Sequence, residues 1–247
     1  MIVAAALPDI PEVRAGDDLA ALLVAAASRL ADGDVLVVAH KIVSKAEGRI
    51  VNLHDVQPRE RALQLAAEHG KDARLVEVIL GESSAIMRSR PGVLICRTPH
   101  GFVCANAGVD ASNAGAVGEL VLLPSDPDAS ARALRNRLRA LTGVAPGIVI
   151  ADSFGRAWRI GQCDVAIGIA GLAPADDWRG RHDGAGRPLE ATIIAVADEA
   201  AAAADLTRGK DTREPAVLVR GLERYVTAGD GPGAAALIRA RDEDLFL

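Results

Sequence analysis

The chain has 247 residues, of which 50% are apolar, 25% charged and 2% aromatic, with a formal net charge of -5. This globular balance excludes wholesale disorder. The acidic total and the scarcity of aromatic rings argue against nucleic acid as a partner, bound either through its backbone or by base stacking. Three cysteines, Cys96, Cys104 and Cys163, are too few and too scattered for a disulfide scaffold or a zinc knuckle. No apolar run reaches the roughly 18 residues of a membrane-spanning helix. The opening Met1-Ile-Val-Ala-Ala-Ala-Leu-Pro lacks the basic region of a signal peptide. The expectation is a cytoplasmic protein with no membrane partner.

Residues 19–30 have helical apolar spacing, with Asp17 as the N-cap. Residues 35–39 predict a short buried strand, followed by a loop from His40 to Gly48 and a second strand over 49–53. Residues 59–69 predict an amphipathic helix, and residues 73–80 read equally as helix or strand. Beyond Pro91, two apolar runs at 92–96 and 101–105 flank Arg97-Thr-Pro-His100, a hairpin signature. A loop of small and polar residues over 106–115 leads to a strand at 120–123. Asp126 and Pro127 then open a helix over 125–141, and a strand follows at 147–151. Residues 152–161 read as a loop, 165–172 as a Gly-punctuated apolar run and 176–188 as a charged loop. A strand at 190–196, a helix at 197–206 and a strand at 216–220 complete the pattern. Without a strict βαβ alternation, the class is α+β, mixed sheets with flanking helices, rather than a Rossmann fold. The chain reads as one unit over 1–247, with two subdomains divided near residue 90 as the alternative organisation.

Dinucleotide, P-loop, zinc-protease and serine-elbow motifs are all absent from the sequence. Chemistry is left to three loops at strand ends. Gly108-Val-Asp110-Ala-Ser-Asn113 sets a carboxylate and an amide among small residues, which suits a ligand as well as a plain Asx turn. Asp152-Ser153-Phe-Gly-Arg156-Ala-Trp-Arg159 offers a carboxylate and a hydroxyl, hard oxygen donors of the kind Mg2+ or Mn2+ takes. Its two arginines suit phosphate or carboxylate, and a helix N-cap with solvated arginines is the other reading. His40-Lys41…Ser44-Lys45-Ala-Glu47 holds two of the four lysines in an arginine-rich chain. A compact ammonium there suits a phosphate, or simply a solvated strand end. Arg208-Gly209-Lys210 carries the weakest signal, since a glycine cap flanked by basic residues ends a helix without further purpose. Together these loops point to a phosphorylated ligand held with a divalent cation.

Four runs resemble the coenzyme F420-0:γ-glutamyl ligases: Gly33-Asp-Val-Leu-Val-Val-Ala-His-Lys-Ile-Val-Ser-Lys-Ala-Glu-Gly-Arg, Ala107-Gly-Val-Asp-Ala-Ser-Asn, Asp152-Ser-Phe-Gly-Arg-Ala-Trp-Arg-Ile-Gly-Gln and Val196-Ala-Asp-Glu-Ala-Ala-Ala-Ala-Ala-Asp-Leu. The likeness is to the N-terminal ligase part of the actinobacterial member, without its appended flavin-binding domain. It implies the fold of that family, an intertwined homodimer, and GTP-dependent addition of L-glutamate to the carboxylate of F420-0 through an acyl phosphate. No enzyme nucleophile is needed for that reaction. The resemblance implies Mg2+ or Mn2+ as cofactor, leaves a place open for K+, and assigns the metal to Asp110, Asp152 and Ser153. Nucleotide contacts fall to Ile10, Pro11, Glu12, Val13, His40, Lys45, Asn113, Gly209 and Lys210. Three positions depart from the family pattern: Ser153 stands where Thr is usual, His40 where Ser is frequent, and Lys210 where some members carry a metal-binding Gln. An ammonium cannot ligate a cation, so Lys210 is assigned to a phosphate. The same residues also suit an amide ligase with a different carboxylate acceptor, or a nucleotide-binding subunit that needs a partner.

Overall fold

A computed structural model describes residues 1–112, 114–209 and 211–244. In chain order the elements begin with β1 (Val3–Ala6), α1 (Leu19–Ala26), β2 (Val35–Ala39), α2 (His40–Ala46) and β3 (Ile50–Asn52). Helices α3 (Glu60–His69) and α4 (Ala73–Gly81) follow, then β4 (Ala85–Arg90), β5 (Val93–Arg97), β6 (Val103–Ala105) and β7 (Glu119–Val121). The second half contains α5 (Pro127–Thr142), β8 (Gly147–Arg156), β9 (Arg159–Ala170), β10 (Asp176–Asp177), β11 (Ile193–Ile194), α6 (Val196–Asp205) and β12 (Ala216–Arg220). The fold is mixed α+β, as the sequence predicts.

A five-stranded sheet in the order β1-β12-β2-β8-β9 organises the molecule. Only β2 and β8 run parallel, with Val35 opposite Gly147 and Ala39 opposite Ala151. Alternate side chains of these two strands enter opposite cores. Leu36, Val38, Ile148 and Ile150 meet residues of α1 and α5. Val35, Val37, Val149 and Ala151 meet the alanine face of α6. Burial on both faces explains why these strands read as unbroken apolar runs, and each such side chain contributes about 1.5–3 kcal/mol. The parallel pair requires a crossover, and here the crossover has a core of its own. Ala62, Leu65, Val76, Ile79, Leu94 and Leu120 pack α3 and α4 against the small sheets β3-β7 and β4-β5-β6.

Several boundaries differ from the expectations. The first helix stops at Ala26, and Asp18 rather than Asp17 caps it, accepting from Ala21 N at 3.3 Å. Asp17 instead accepts from Arg14 N at 2.7 Å, in the turn before the helix. Residues 40–46 are a helix, not a loop. The expected loop at 152–161 is a hairpin, because β8 continues to Arg156 and turns through Ala157 and Trp158 into β9. The strand expected over 190–196 shrinks to Ile193–Ile194, and the arginine-bearing, largely exposed β4 gave no apolar alternation to read. Residues 73–80 resolve as helix. The hairpin of β5 and β6 forms as expected, and α5 opens with Pro127 behind Asp126, which accepts from Ala129 N at 2.9 Å.

The register of β8 and β9 slips between Ile150 and Ala151, from Gly168 to Ala166. Such a bulge takes amides out of the ladder and re-aims neighbouring side chains. Asp198 in the first turn of α6 compensates by accepting from Ala166 N at 2.9 Å. Burial pushes the Asp198 carboxyl above its ordinary range, and the Ala166 hydrogen bond only partly offsets it. A raised carboxyl pKa means that its ionisation costs stability progressively as pH rises. The melting temperature of Asp198→Asn relative to the parent is therefore expected to climb as pH rises from the ordinary carboxylate range. Calorimetric scans upward from that range check this, and a relative value that falls with pH contradicts it.

Candidate active site

The parallel pairing of β2 with β8 ends at Ala39 and Ala151, so the next residues, His40 at the start of α2 and Asp152 within β8, stand side by side. His40 opens α2, whose preceding residue Ala39 is extended and provides no side-chain cap. The imidazole is 2% exposed. Its Nε2 lies 3.3 Å from Asp152 Oδ1, yet the geometry makes no hydrogen bond and leaves this buried nitrogen without a partner. On the other side of the ring, Nδ1 is 3.5 Å from Ser44 Oγ, one helical turn along.

The next residue reaches the other predicted metal carboxylate. Lys41 Nζ is 2.7 Å from Asp110 Oδ2, 2.7 Å from Ser112 Oγ and 3.1 Å from Ser112 O. Asp110 is positioned by two backbone hydrogen bonds with Val121, at 3.1 and 2.8 Å. Just before it the chain makes a left-handed turn at Asn106 and Ala107, with φ of 53° and 55°, a conformation that side-chain-bearing residues adopt at a cost of about 1–2 kcal/mol. Ser112 donates its amide to Asp110 Oδ1 at 2.7 Å and its hydroxyl to Oδ2 at 2.9 Å. The Asx turn is thus real, and it coexists with the lysine contact. Burial pushes the Asp110 carboxyl up, but the Lys41 ammonium and the Ser112 donors outweigh it and leave the group below its ordinary value.

Lys45 lies four residues beyond Lys41 on the same helical face. It is 6% exposed and pairs with the exposed carboxylate of Glu12. Ser153, next to Asp152, donates its hydroxyl to Asp164 Oδ1 at 2.6 Å, and Asp152 Oδ1 accepts from Ser153 N at 2.8 Å. A hydroxyl that gives its proton to a carboxylate keeps lone pairs suited to a cation. Asp164 is 1% exposed and is held in turn by Arg208, whose Nη1 also donates to Pro215 O at 3.2 Å.

The structure therefore gathers Glu12, His40, Lys45, Asp110, Asp152 and Ser153 around α2. Val13 is buried in the core beneath α1, Ile10 packs against that core, and Pro11 is exposed. Gly209 follows Arg208 and exchanges hydrogen bonds with the Thr212 hydroxyl, both at 3.1 Å. Arg208 thus ties the Gly209 turn to the strand pair that carries Asp152. Asn113 and Lys210 lie outside the described residues. Arg156 and Arg159 stand at the exposed end of the hairpin. Among the described residues, no three His, Cys, Asp or Glu side chains form a ready metal cluster. Sequence reasoning set Lys41 and Arg208 in candidate loops without giving either a role, and it missed Asp164. The rarity of lysine was the available signal for Lys41, and the hairpin register, once recognised, would have placed Asp164 opposite Ser153.

Ammonium and carboxylate groups are thus paired beside a buried histidine where the parallel β2–β8 pairing ends, the kind of place at which ligands settle in α/β sheets. The sequence model of the F420-0:Gamma-glutamyl ligase family matches residues 9–221, and the chain belongs to that family. Proteins named Coenzyme F420:L-glutamate ligase are similar over nearly their full lengths. That of Methanopyrus kandleri is 48% identical across 95% of this chain and 93% of its own. That of Methanothermobacter thermautotrophicus is 46% identical across 96% and 95%, and that of Archaeoglobus fulgidus 45% across 96% and 93%. Among the described residues, no helix is long and apolar enough to cross a membrane.

The environment of Cys104 offers a check on this geometry. Burial, reinforced by the charges of Asp152 and Cys96, pushes its thiol up to about 12, and burial likewise raises Cys96. Only thiolates alkylate rapidly. At pH 8 iodoacetamide is expected to modify the half-buried Cys163 and spare Cys96 and Cys104 until denaturant is added. Peptide mass mapping reads the outcome, and rapid native labelling of Cys104 contradicts the burial described.

Proposed function

We infer that the chain adds L-glutamate to the terminal carboxylate of F420-0 at the expense of GTP. The carboxylate oxygen attacks the γ-phosphorus, GDP leaves, and an acyl phosphate forms. The glutamate amine then attacks the acyl carbon, losing a proton as phosphate departs, and an amide results; repetition on the γ-carboxylate of the added residue would extend a γ-linked tail. Family membership supports this reading, and one observation carries it to the residues. His40, Lys41 and Lys45, on successive positions and turns of one short helix, face carboxylates from three other parts of the chain.

The reaction brings together a nucleotide, an acidic acceptor and an acidic amino acid, whose mutual repulsion must be neutralised. Lys41 and Lys45 are placed to exchange Asp110 and Glu12 for phosphate oxygens, since an ammonium is a mobile point charge. The oxygen donors of Asp110, Asp152 and Ser153 fit Mg2+ or Mn2+, and the Lys41 ammonium paired with Asp110 supports a cation at this carboxylate. When bound, the metal would offset phosphate charge and polarise the phosphoryl group. Two carboxylates are enough for such a site, because Mg2+ is usually held by one or two carboxylates plus substrate phosphates and water. The turn at Gly209 would cover the nucleotide, tethered through Arg208 and Asp164, and the active assembly would be a homodimer.

Purified chain given F420-0, GTP, Mn2+ and glutamate is expected to yield products heavier by one glutamyl residue, with GDP formed in step. Asp152→Ala is expected to reduce turnover to background while the variant melts as a folded protein. Mass spectrometry without that increment under these conditions refutes the acceptor assignment. GTP consumption with another carboxylate instead would favour the same chemistry on a different acceptor.

A further inference from the structure

We propose that His40 is itself a ligand of the divalent cation, so that the site combines an imidazole nitrogen with the Asp152 carboxylate and favours Mn2+ over Mg2+. The proposal rests on the reading of Asp152 as a metal carboxylate and adds to it a donor of a different chemical type. It replaces the nucleotide contact that the family resemblance implies for this position.

The imidazole is 2% exposed, and a buried ring nitrogen without a partner costs about 1–3 kcal/mol. Nε2 of His40 is such an atom, although it lies only 3.3 Å from Asp152 Oδ1. A hydrogen bond between the two would need a linear approach that the ring orientation does not give. Two donor atoms side by side at this spacing without a hydrogen bond match the edge of a coordination shell. Metal bonds of about 2.1 Å at right angles place neighbouring donors roughly 3 Å apart. The ring is also oriented as a ligand would be. Its second nitrogen faces Ser44 Oγ at 3.5 Å, and outer partners of this kind fix the direction of metal-binding histidines.

No third His, Cys, Asp or Glu joins the pair among the described residues. The remaining positions fall to the Asp110 carboxylate once Lys41 exchanges it, the Ser153 hydroxyl, nucleotide phosphate oxygens and water. Mg2+ demands oxygen donors, whereas imidazole suits the transition metals better, so one nitrogen in the shell tilts the choice towards Mn2+.

Pulsed electron paramagnetic resonance on the full chain with Mn2+ and GDP tests this without turnover. A histidine nitrogen coupling to Mn2+ is expected, and it should change isotope when the protein is grown on nitrogen-15 histidine. This comparison uses the unaltered chain and so does not depend on a variant folding. His40→Ser should abolish the coupling and weaken Mn2+ by about tenfold or more, with a smaller effect on Mg2+. Bound Mn2+ that couples to phosphorus and shows no histidine nitrogen, but is lost in Asp152→Ala, overturns the ligand role of His40 alone. Mn2+ binding unchanged in Asp152→Ala overturns the metal reading beneath it.

Discussion

Two neighbouring residues at the start of α2 each face a carboxylate from a different part of the chain. His40 meets Asp152 on β8, and Lys41 meets Asp110 beyond the β5-β6 hairpin. Consecutive Cα atoms are about 3.8 Å apart across a peptide bond, so one peptide unit draws both aspartates to the same place. The arrangement depends on the parallel pairing of β2 with β8. That pairing ends at Ala39 and Ala151, immediately before His40 and Asp152, and puts the segment with the third core into the crossover between the two strands.

These contacts are poorly explained as devices for stability. A half-exposed pair such as Lys41 with Asp110 contributes about 0–1 kcal/mol. A buried imidazole nitrogen without a partner and a lysine at 6% exposure are costs that apolar side chains would avoid. The fold tolerates them because two apolar cores support β2 and β8 from both faces. Under the proposed function, lysines held against carboxylates they can exchange would keep positive charge where negative reactants meet. Asp198 illustrates the same trade at the neighbouring bulge, where a buried carboxyl accepts the amide that the register slip releases.

Much of this fold was legible in the sequence where local rules apply. The strands at 35–39 and 147–151 declared themselves because both faces are buried, and α5 because Asp126 and Pro127 open it. Helix α2 was not legible. It has seven residues, a capping position occupied by Ala39, and β-branched Ile42 and Val43 inside it. The hairpin of β8 and β9 was missed for a related reason. Its turn uses Ala157 and Trp158, with Trp158 at φ 57°, instead of the Asn-Gly or Asp-Gly that signals such turns. At the site, the acids Asp110 and Asp152 stood out by chemistry and by family likeness. Their companions Lys41, Asp164 and Arg208 did not, because each contact depends on long-range pairing that no local pattern encodes.

A crystal structure of the chain with GDP and Mn2+ tests the central claim most directly. The account predicts metal density against Asp152 and Asp110, with the diphosphate lying along the lysine face of α2 in place of Asp110 and Glu12. A nucleotide lodged away from α2, with Lys41 still on Asp110 and no metal near Asp152, would contradict it.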